Sequence, residues 1–263
     1  MNHTPRKRFG QNFLHDQNVI QKIVSAIRLR KEDLLIEIGP GEGALTCQLL
    51  PQLSAMHAIE LDRDLIPQLQ QRCSSIGNLT LHNADVLKFD FSAIDEPDRP
   101  LRVVGNLPYN ISTPLIFHLL QHQTRIQDMH FLLQKEVVDR LAAAPNSRTY
   151  GRLSVMVQAQ CQVEKLFSVP PGAFNPIPKV TSAVVKLTPN KTLNSGIEDS
   201  LMFEQIVRQA FSQRRKTLRN ALRDLVDISC LETLSISPAS RPENLSVKDY
   251  IDIANYIYFQ QNQ

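Results

Sequence analysis

Short apolar runs alternate with helix-like segments through the first half of the chain, and this alternation constrains the fold more than any other feature. The runs are short and bounded by Gly, Asp, Asn or charged residues, which suits strands buried on both faces of a sheet. Between them, segments such as 64–73 and 112–121 repeat apolar residues at helical spacing. Such alternation is typical of a parallel sheet covered by helices on both faces. The predicted strands are 34–38, 57–61, 79–82, 101–104 and 129–133.

The pattern changes after Tyr150. A long semi-apolar stretch at 154–163 precedes a proline-rich passage at 170–178, and an apolar run follows at 183–187. Prolines enforce turns and extended backbone. We therefore expect late strands that pack against the same sheet and are antiparallel at its edge.

The last quarter of the chain is predicted to be a separate helical domain. Residues 189–196 (PNKTLNSG) are polar and turn-forming, which makes them the best linker candidate. Beyond them apolar residues recur at helical spacing over 247–259 and in one predicted helical stripe formed by Val207, Phe211, Leu218, Leu222 and Leu225. The sequence thus predicts an α/β domain over 1–190 and a small α-helical domain over 191–263.

Composition excludes several classes of protein. The apolar fraction of 42% and the charged fraction of 21% are those of a globular chain, not of a disordered one. Four cysteines without a CxxC spacing or a matching histidine argue against a bound metal and against a disulfide framework. Neither a signal peptide nor an apolar run of membrane-spanning length is present, so we expect a soluble, cytoplasmic protein.

Three predicted strands end in residues suited to a nucleotide-type cofactor. The first is followed by 37–43 (EIGPGEG), whose glycines allow a sharp turn and a close approach of the backbone to a ligand. Glu60 lies 21 residues after Gly39, a spacing typical of a carboxylate that binds ribose hydroxyls. Asp85 ends the third strand and could accept from an adenine amine, or simply cap a turn. The glycine segment alone also fits NAD, but the three positions together resemble the S-adenosylmethionine site of class I methyltransferases.

The tetrapeptide Asn106-Leu107-Pro108-Tyr109 follows the fourth strand and resembles the signature of methyltransferases that act on amino groups. The lone pair of an exocyclic amine is delocalised into the ring, so the amine is a poor nucleophile. Acceptors at its N–H groups favour a pyramidal nitrogen, and the Asn106 side-chain oxygen and Leu107 carbonyl are the candidates. Pro108 holds the turn without adding an N–H donor, and the Tyr109 ring could stack on a base. This tetrapeptide has no role in hydride transfer, which disfavours a dehydrogenase.

Nearly the whole chain resembles the ribosomal RNA adenine dimethyltransferases, of the type that acts on small-subunit rRNA. The matching segments include RKRFGQNFL at 6–14, GNLPYNISTP at 105–114 and QRRKTLRN at 213–220, of which GNLPYNISTP together with KRFGQNFL is highly specific. The resemblance implies a class I methyltransferase Rossmann-like sheet, mostly parallel with an antiparallel edge strand. It also implies that S-adenosylmethionine provides two methyl groups to N6 of each of two adjacent adenosines near the 3′ end of 16S rRNA. The expected substrate is the 30S particle late in its assembly.

The same resemblance implies roles for single residues. Asn106, Leu107, Tyr109 and Phe174 match the catalytic positions, where the two aromatic rings stack on the target base. The N-terminal segment matches one that closes over the cofactor. The implied cofactor contacts are those of Asn12, Leu14, Gly39, Glu60, Asp85 and Asn106. No metal is implied.

Charge placement suggests where RNA binds. Lys and Arg exceed Asp and Glu by only three in the whole chain. The segment 208–223 nevertheless holds six Lys or Arg residues and no acid. Such a cluster would contact phosphates with little sequence reading. We expect RNA binding by Arg214, Arg215, Lys216 and Arg219. A second basic cluster, Arg6 to Arg8, would border the RNA path.

Two other functions stay open at this point. The protein could act mainly as an assembly checkpoint that binds immature small subunits, with methylation as the release step. It could also resemble the related enzymes that methylate large-subunit rRNA, although QRRKTLRN and the long helical C-terminal region favour the small-subunit type. Nothing in the sequence indicates an oligomer, so a monomer is expected.

Overall fold

The computed structural model describes residues 11–94, 99–190 and 196–262. The basic cluster at 6–8 and most of the predicted linker lie outside the described residues. The chain divides into two compact units, one of Met1–Val138 with Glu164–Pro189 and one of Asp139–Val163 with Asn190–Gln263. The sequence-based boundary at 190 differs from this division in residues 139–163.

A seven-stranded sheet forms the centre of the first unit, with the strand order β4-β3-β2-β5-β6-β9-β7. Neighbours from β4 to β6 are parallel, and β9 runs antiparallel to β6, which confirms the predicted mostly parallel sheet with an antiparallel edge. A separate two-stranded sheet joins β1 and β8. The strands are β1 (Phe13–Leu14), β2 (Leu34–Ile38), β3 (Met56–Glu60), β4 (Leu79–Asn83), β5 (Leu101–Asn106), β6 (Ile126–Gln134), β7 (Cys161–Val169), β8 (Phe174–Asn175) and β9 (Ser182–Pro189).

The strand order reverses at β2, which pairs with β3 on one side and with β5 on the other. In an open α/β sheet, ligands bind outside the carboxyl ends of the strands at such a switch point. Every residue of β2 is buried, as its apolar run, interrupted only by Glu37, leads one to expect of a central strand. The glycine segment and the tetrapeptide both follow strands at this point.

Helices of the first unit pack on the sheet through apolar stripes. The Asp16 side chain caps α1 by accepting from two backbone N–H groups, and Ile20, Ile23, Val24 and Ile27 are buried in the core. The helices are α1 (Gln17–Ile27), α2 (Thr46–Leu49), α3 (Ile66–Cys73), α4 (Ser112–Leu120) and α5 (Lys135–Leu141), the last of which runs into the second unit.

A buried arginine, Arg102, links β5 to its neighbours near the amino ends of the parallel strands. Arg102 on β5 donates two hydrogen bonds, of 2.9 and 2.8 Å, to the Asp128 carboxylate on β6 and one of 2.7 Å to Asp33. It also donates to the carbonyl oxygens of Ile27 and Arg28. Because the guanidinium is fully engaged, its burial is compensated.

The second unit is helical around its own apolar core. Tyr150, Val155 and Ala159 lie in the same cluster as Phe203 and Ile206, which is why residues 139–163 belong to this unit. A capping box formed by Ser246 and Asp249 starts the last helix. The helices are α6 (Arg152–Gln158), α7 (Ser200–Ser212), α8 (Leu218–Ala221), α9 (Ile228–Thr233) and α10 (Val247–Gln261).

Of two local predictions, one was right in part and the other was wrong. The expected late strands are present, but residues 154–158 belong to α6, whose first turn is held where the Ser154 hydroxyl accepts from the Gly151 N–H and donates to the Arg140 carbonyl, and β7 begins only at Cys161. The predicted single stripe from Val207 to Leu225 is also broken. Helix α7 ends at Ser212, and Leu218 begins a separate short helix after an exposed turn.

Across the described part of the chain, no helix is both long enough and apolar enough to span a membrane.

Candidate active site

A cavity of about 250 Å³ opens at the carboxyl ends of the central strands. All six predicted cofactor contacts line it, together with Leu107 and Tyr109 of the tetrapeptide. These residues come from distant parts of the sequence, and the parallel sheet brings them together because the ends of neighbouring strands meet at one edge. In the ranges that the structure describes, no three His, Cys, Asp or Glu side chains form a metal-binding group.

The glycine segment after β2 forms a tight wall of this cavity. Gly39 and Gly41 both have positive φ, of 66° and 56°, where side-chain-bearing residues are strained. A Cβ on Gly41 would lie 3.0 Å from two atoms of the Phe13 ring. The loop therefore requires glycine both for its turn and for the aromatic ring packed against it.

Glu60 holds this loop from the end of β3. One carboxylate oxygen accepts from the Gly41 N–H at 3.1 Å and the other accepts from the Asp62 N–H at 2.8 Å. Burial raises the pKa of the Glu60 carboxyl, while the two backbone donors oppose that shift. The structure therefore places Glu60 at the cavity with its acceptor oxygens already oriented by backbone.

Glu37 is a cavity residue to which the sequence reasoning gave no role. It lies on β2, and its carboxylate accepts from the Thr46 hydroxyl at 2.6 Å. Burial raises the pKa of this carboxyl to about 7, and the nearby charge of Glu60 adds to the shift. The signal was present in the sequence, since Glu37 is the acid within the otherwise apolar run LLIEI.

Asp85 follows β4 and also lines the cavity. Its carboxylate accepts from the Leu87 N–H at 3.0 Å and caps the short turn Val86–Lys88. The capping role considered from the sequence is thus present, and it is compatible with a place in the cavity wall because a carboxylate has acceptor capacity for several donors.

The tetrapeptide is held by contacts on three sides. The Asn106 amide donates to the Asn12 carbonyl at 2.9 Å, and the Leu107 N–H donates to the Leu132 carbonyl at 3.2 Å. The Tyr109 hydroxyl lies 3.2 Å from the Ser182 hydroxyl. Because the side-chain nitrogen of Asn106 donates to Asn12, its side-chain oxygen is the acceptor atom of this amide.

Phe174 is not part of this cavity. Its side chain is 1% exposed and packs in the core with Leu14 and Val169. It also lines a neighbouring groove that shares Phe13, Leu14 and Glu42 with the cavity. The expected pairing of Phe174 with Tyr109 as two open stacking surfaces is therefore not formed in this structure, because Phe174 is used in packing.

The four predicted RNA contacts lie in the second unit, three of them in the turn between α7 and α8 and Arg219 on α8. Arg215, Lys216 and Arg219 are exposed. Arg214 is more constrained, since its Nε donates to the Glu243 carboxylate at 2.6 Å and its Nη2 donates to the Arg148 carbonyl at 2.8 Å. Three of the four predicted RNA contacts are thus exposed to solvent, and the fourth supports the local structure.

Comparison with known proteins identifies relatives along nearly the whole chain. The family model for ribosomal RNA adenine dimethylase matches residues 2–258. The ribosomal RNA small subunit methyltransferase A of Pseudomonas putida is 52% identical over 98% of this chain and 97% of its own length. The protein of the same name from Marinomonas sp. is 54% identical over 97% of this chain and 96% of its own length.

Solved structures agree with this similarity. A dimethyladenosine transferase from Plasmodium falciparum matches with a TM-score of 0.83 and 27% identity, over 94% of this chain and 98% of that one. The 23S rRNA methyltransferase ErmE shares the fold, with a TM-score of 0.73 at 22% identity over 94% of this chain and 100% of its own. With its family model, full-length relatives and Rossmann-like sheet in agreement, the chain belongs to the ribosomal RNA adenine dimethylase family, whose members are methyltransferases that use S-adenosylmethionine.

Proposed function

We propose that this chain methylates N6 of two adjacent adenosines near the 3′ end of 16S rRNA, adding two methyl groups to each in the small ribosomal subunit late in assembly. The relatives named small subunit methyltransferase A support the choice of rRNA. The observation that carries the proposal is the position of Asn106-Leu107-Pro108-Tyr109 in the wall of the cavity that also contains Glu60 and Asp85.

The residues of the cavity fit S-adenosylmethionine, which supplies an activated methyl group when bound. Glu60 would accept from the ribose hydroxyls and Asp85 from the adenine amine, with Gly39, Asn12 and Leu14 closing the wall. Glu37 is a buried carboxyl whose pKa is raised chiefly by its burial. An ammonium or sulfonium group in the cavity would compensate that carboxylate.

The tetrapeptide would hold the target amine. The Asn106 oxygen and the Leu107 carbonyl would accept its N–H groups and favour a pyramidal nitrogen with its lone pair directed at the methyl group. Catalysis would then rest on in-line positioning and electrostatic stabilisation, without a covalent nucleophile. Tyr109 would stack on the base, and Phe174 would do so only after its ring leaves the core.

RNA binding is assigned to the second unit. The exposed Arg215, Lys216 and Arg219 would neutralise phosphates, and Arg214 would support them through its bond to Glu243. The target base must leave its stack to reach the cavity. We further propose that the protein acts as a monomer on the particle and that the helical domain 191–263 binds RNA through these basic residues.

Methyl transfer from radiolabelled S-adenosylmethionine tests this function. The substrates are small subunits from cells that lack the modification, with mature small subunits, large subunits and free rRNA as controls. The expected result is two labelled methyl groups on each of two adjacent adenosines, only in the unmodified small subunits. Label confined to large subunits would contradict the proposal.

A role as an assembly checkpoint is a second candidate, and one observation favours it. The exposed basic cluster lies outside the catalytic cavity and could bind immature particles without catalysis. An inactive Asn106→Ala protein that still accumulates immature subunits in cells would support this role. Loss of particle binding together with loss of transfer would oppose it.

A further inference from the structure

Ile177 is an apolar side chain displayed on a stiff loop. It is 70% exposed, although burial of a side chain of this size is favourable. Proline flanks it on both sides, which fixes φ at Pro176 and Pro178. Pro178 is itself buried and anchors the loop. The isoleucine is also β-branched and stiff at χ1, so presenting it costs little side-chain entropy.

This side chain stands beside the catalytic cavity. Ile177 lines the groove that contains Phe174 and Asn175, and the groove shares Phe13, Leu14 and Glu42 with the cavity. Because three residues form walls of both, a nucleotide that occupies the cavity has its chain neighbours at or near the groove. Ile177 is therefore placed to contact the strand from which the target base came.

The sequence around the loop is basic. The sequence from 165 to 197 contains Lys165, Lys179, Lys186 and Lys191 and no acid. Lys179, two residues after Ile177, is exposed. Glu42, which lines the groove, carries the opposite charge. An exposed aliphatic side chain near a lysine on a stiff loop is suited to RNA, because the aliphatic group can contact stacked bases while the lysine contacts a phosphate.

We propose that Ile177 is a wedge for base extrusion, an inference that rests on the proposed function. When the target adenosine leaves its stack, it leaves a gap between the neighbouring bases, and restacking in that gap favours its return. An apolar side chain that enters the gap stacks on the remaining bases and holds the adenosine out. Ile177 is thus a positioning residue: it acts on the RNA stack and touches neither the methyl group nor the amine.

Single-turnover methyl transfer to unmodified small subunits tests the wedge in Ile177→Ala and in the conservative Ile177→Leu. The matched control is Leu201→Ala, since Leu201 is an aliphatic residue 79% exposed in the second unit. Extrusion is followed by fluorescence of 2-aminopurine placed at a target position in the rRNA of reconstituted subunits. Affinities for S-adenosylmethionine and for the subunit are measured in parallel, and thermal unfolding checks the fold.

We expect Ile177→Ala to reduce the transfer rate at saturating subunits by about tenfold or more, because unstacking is a costly step. Both affinities should stay within about threefold, and the fluorescence change induced by the wild type should be lost. Ile177→Leu and Leu201→Ala should behave as the wild type. Equal rates for Ile177→Ala and wild type would overturn the wedge, as would a slower rate with an unchanged fluorescence response or a wild type that induces no response. A wild type that transfers no methyl to any particle would instead refute the proposed function.

Discussion

The amide nitrogen of Asn106 donates a hydrogen bond of 2.9 Å to the backbone carbonyl of Asn12. This bond joins the end of β5 to the segment just before β1, 94 residues away in the sequence. It fixes which end of the amide is the acceptor, and that acceptor belongs to the tetrapeptide proposed to hold the amine. The N-terminal segment therefore helps to orient the side chain that we propose to be catalytic.

Substitutions of Asn106 separate two contributions of its side chain, the oxygen as an acceptor for the amine and the nitrogen as a donor to Asn12. We expect Asn106→Ala to lower the single-turnover rate by about 10²- to 10³-fold, as for loss of a transition-state hydrogen bond elsewhere. Asn106→Asp keeps an acceptor but loses the donor to Asn12, so it should retain more activity than alanine. Near-normal turnover in Asn106→Ala, with a native circular dichroism spectrum, would refute the assigned role.

Glu60 should govern affinity for the cofactor. Glu60→Ala removes the carboxylate that accepts from the Gly41 and Asp62 N–H groups, so the loop loses its brace and the ribose its proposed partner. We expect calorimetry to show binding weaker by about tenfold or more, in line with loss of hydrogen bonds to a charged group. Asp64→Asn, at an exposed carboxylate nearby, is the control. Equal cofactor affinities in Glu60→Ala and the control would oppose the assignment.

Glu37 should make stability depend on pH. The folded carboxyl has a pKa of about 7, above its ordinary value of 4.5, so the folded state holds more protons between these values. The free energy of unfolding should therefore fall as pH rises from about 4.5 to 7, by up to about 3 kcal/mol, and then level off. Urea unfolding of Glu37→Gln, which stays neutral, should lack this decline. A parallel decline in both proteins would assign it to other groups.

Gly105 should not tolerate a side chain. A Cβ there would lie 2.6 Å from the Ile38 carbonyl oxygen and 2.9 Å from the Leu107 side chain. Because Leu107 belongs to the tetrapeptide, the substitution would also displace part of the tetrapeptide. We expect Gly105→Ala to cost at least about 1–3 kcal/mol of unfolding free energy, because overpacking forces the backbone to shift. Gly172→Ala is the matched control, since nothing lies within 4 Å of its added Cβ. Similar stability of the two variants would contradict the packing described here.

The exposed basic residues of the second unit should set the salt dependence of particle binding. Replacement of Arg215, Lys216 and Arg219 by alanine should weaken binding and reduce the slope of log affinity against log salt by about 0.7–0.9 for each phosphate that is no longer neutralised. Cofactor affinity should not change. Lys248→Ala, at an exposed lysine paired with Asp252, should leave the slope unaltered. An unchanged slope in the triple variant would place the RNA-binding surface elsewhere.

Much of the sheet and of the cavity lining could be predicted because both depend on local sequence. The run at 34–38 is β2 at the same bounds, since a strand buried on both faces is apolar along most of its length. Gly39 and Asp85 follow β2 and β4, Glu60 ends β3, and the parallel topology brings these strand ends to one edge. Their spacing in the sequence therefore carried enough information to group them.

Other features depend on contacts between distant segments and could not be predicted. Phe174 is held in the core by its pairing with Leu14, which no local pattern near Phe174 reveals. Tyr150 belongs to the second unit because it packs with Phe211 and residues beyond it, across a gap that includes three strands. Nothing in the sequence distinguishes Arg214 from the basic residues around it, and only the fold brings Glu243 beside it.

The pairing of β1 with β8 has a consequence for repeated turnover. This two-stranded sheet is separate from the seven-stranded sheet, and its register joins only Phe13 with Asn175 and Leu14 with Phe174. One wall of the cavity could move by breaking that small pair and the Asn106–Asn12 hydrogen bond, with Glu60 at the end of β3 and Asp85 after β4 left in place. An enzyme that adds several methyl groups to one particle needs a fresh donor for each. The exchange of spent donor for new could therefore proceed without rebuilding the rest of the binding site.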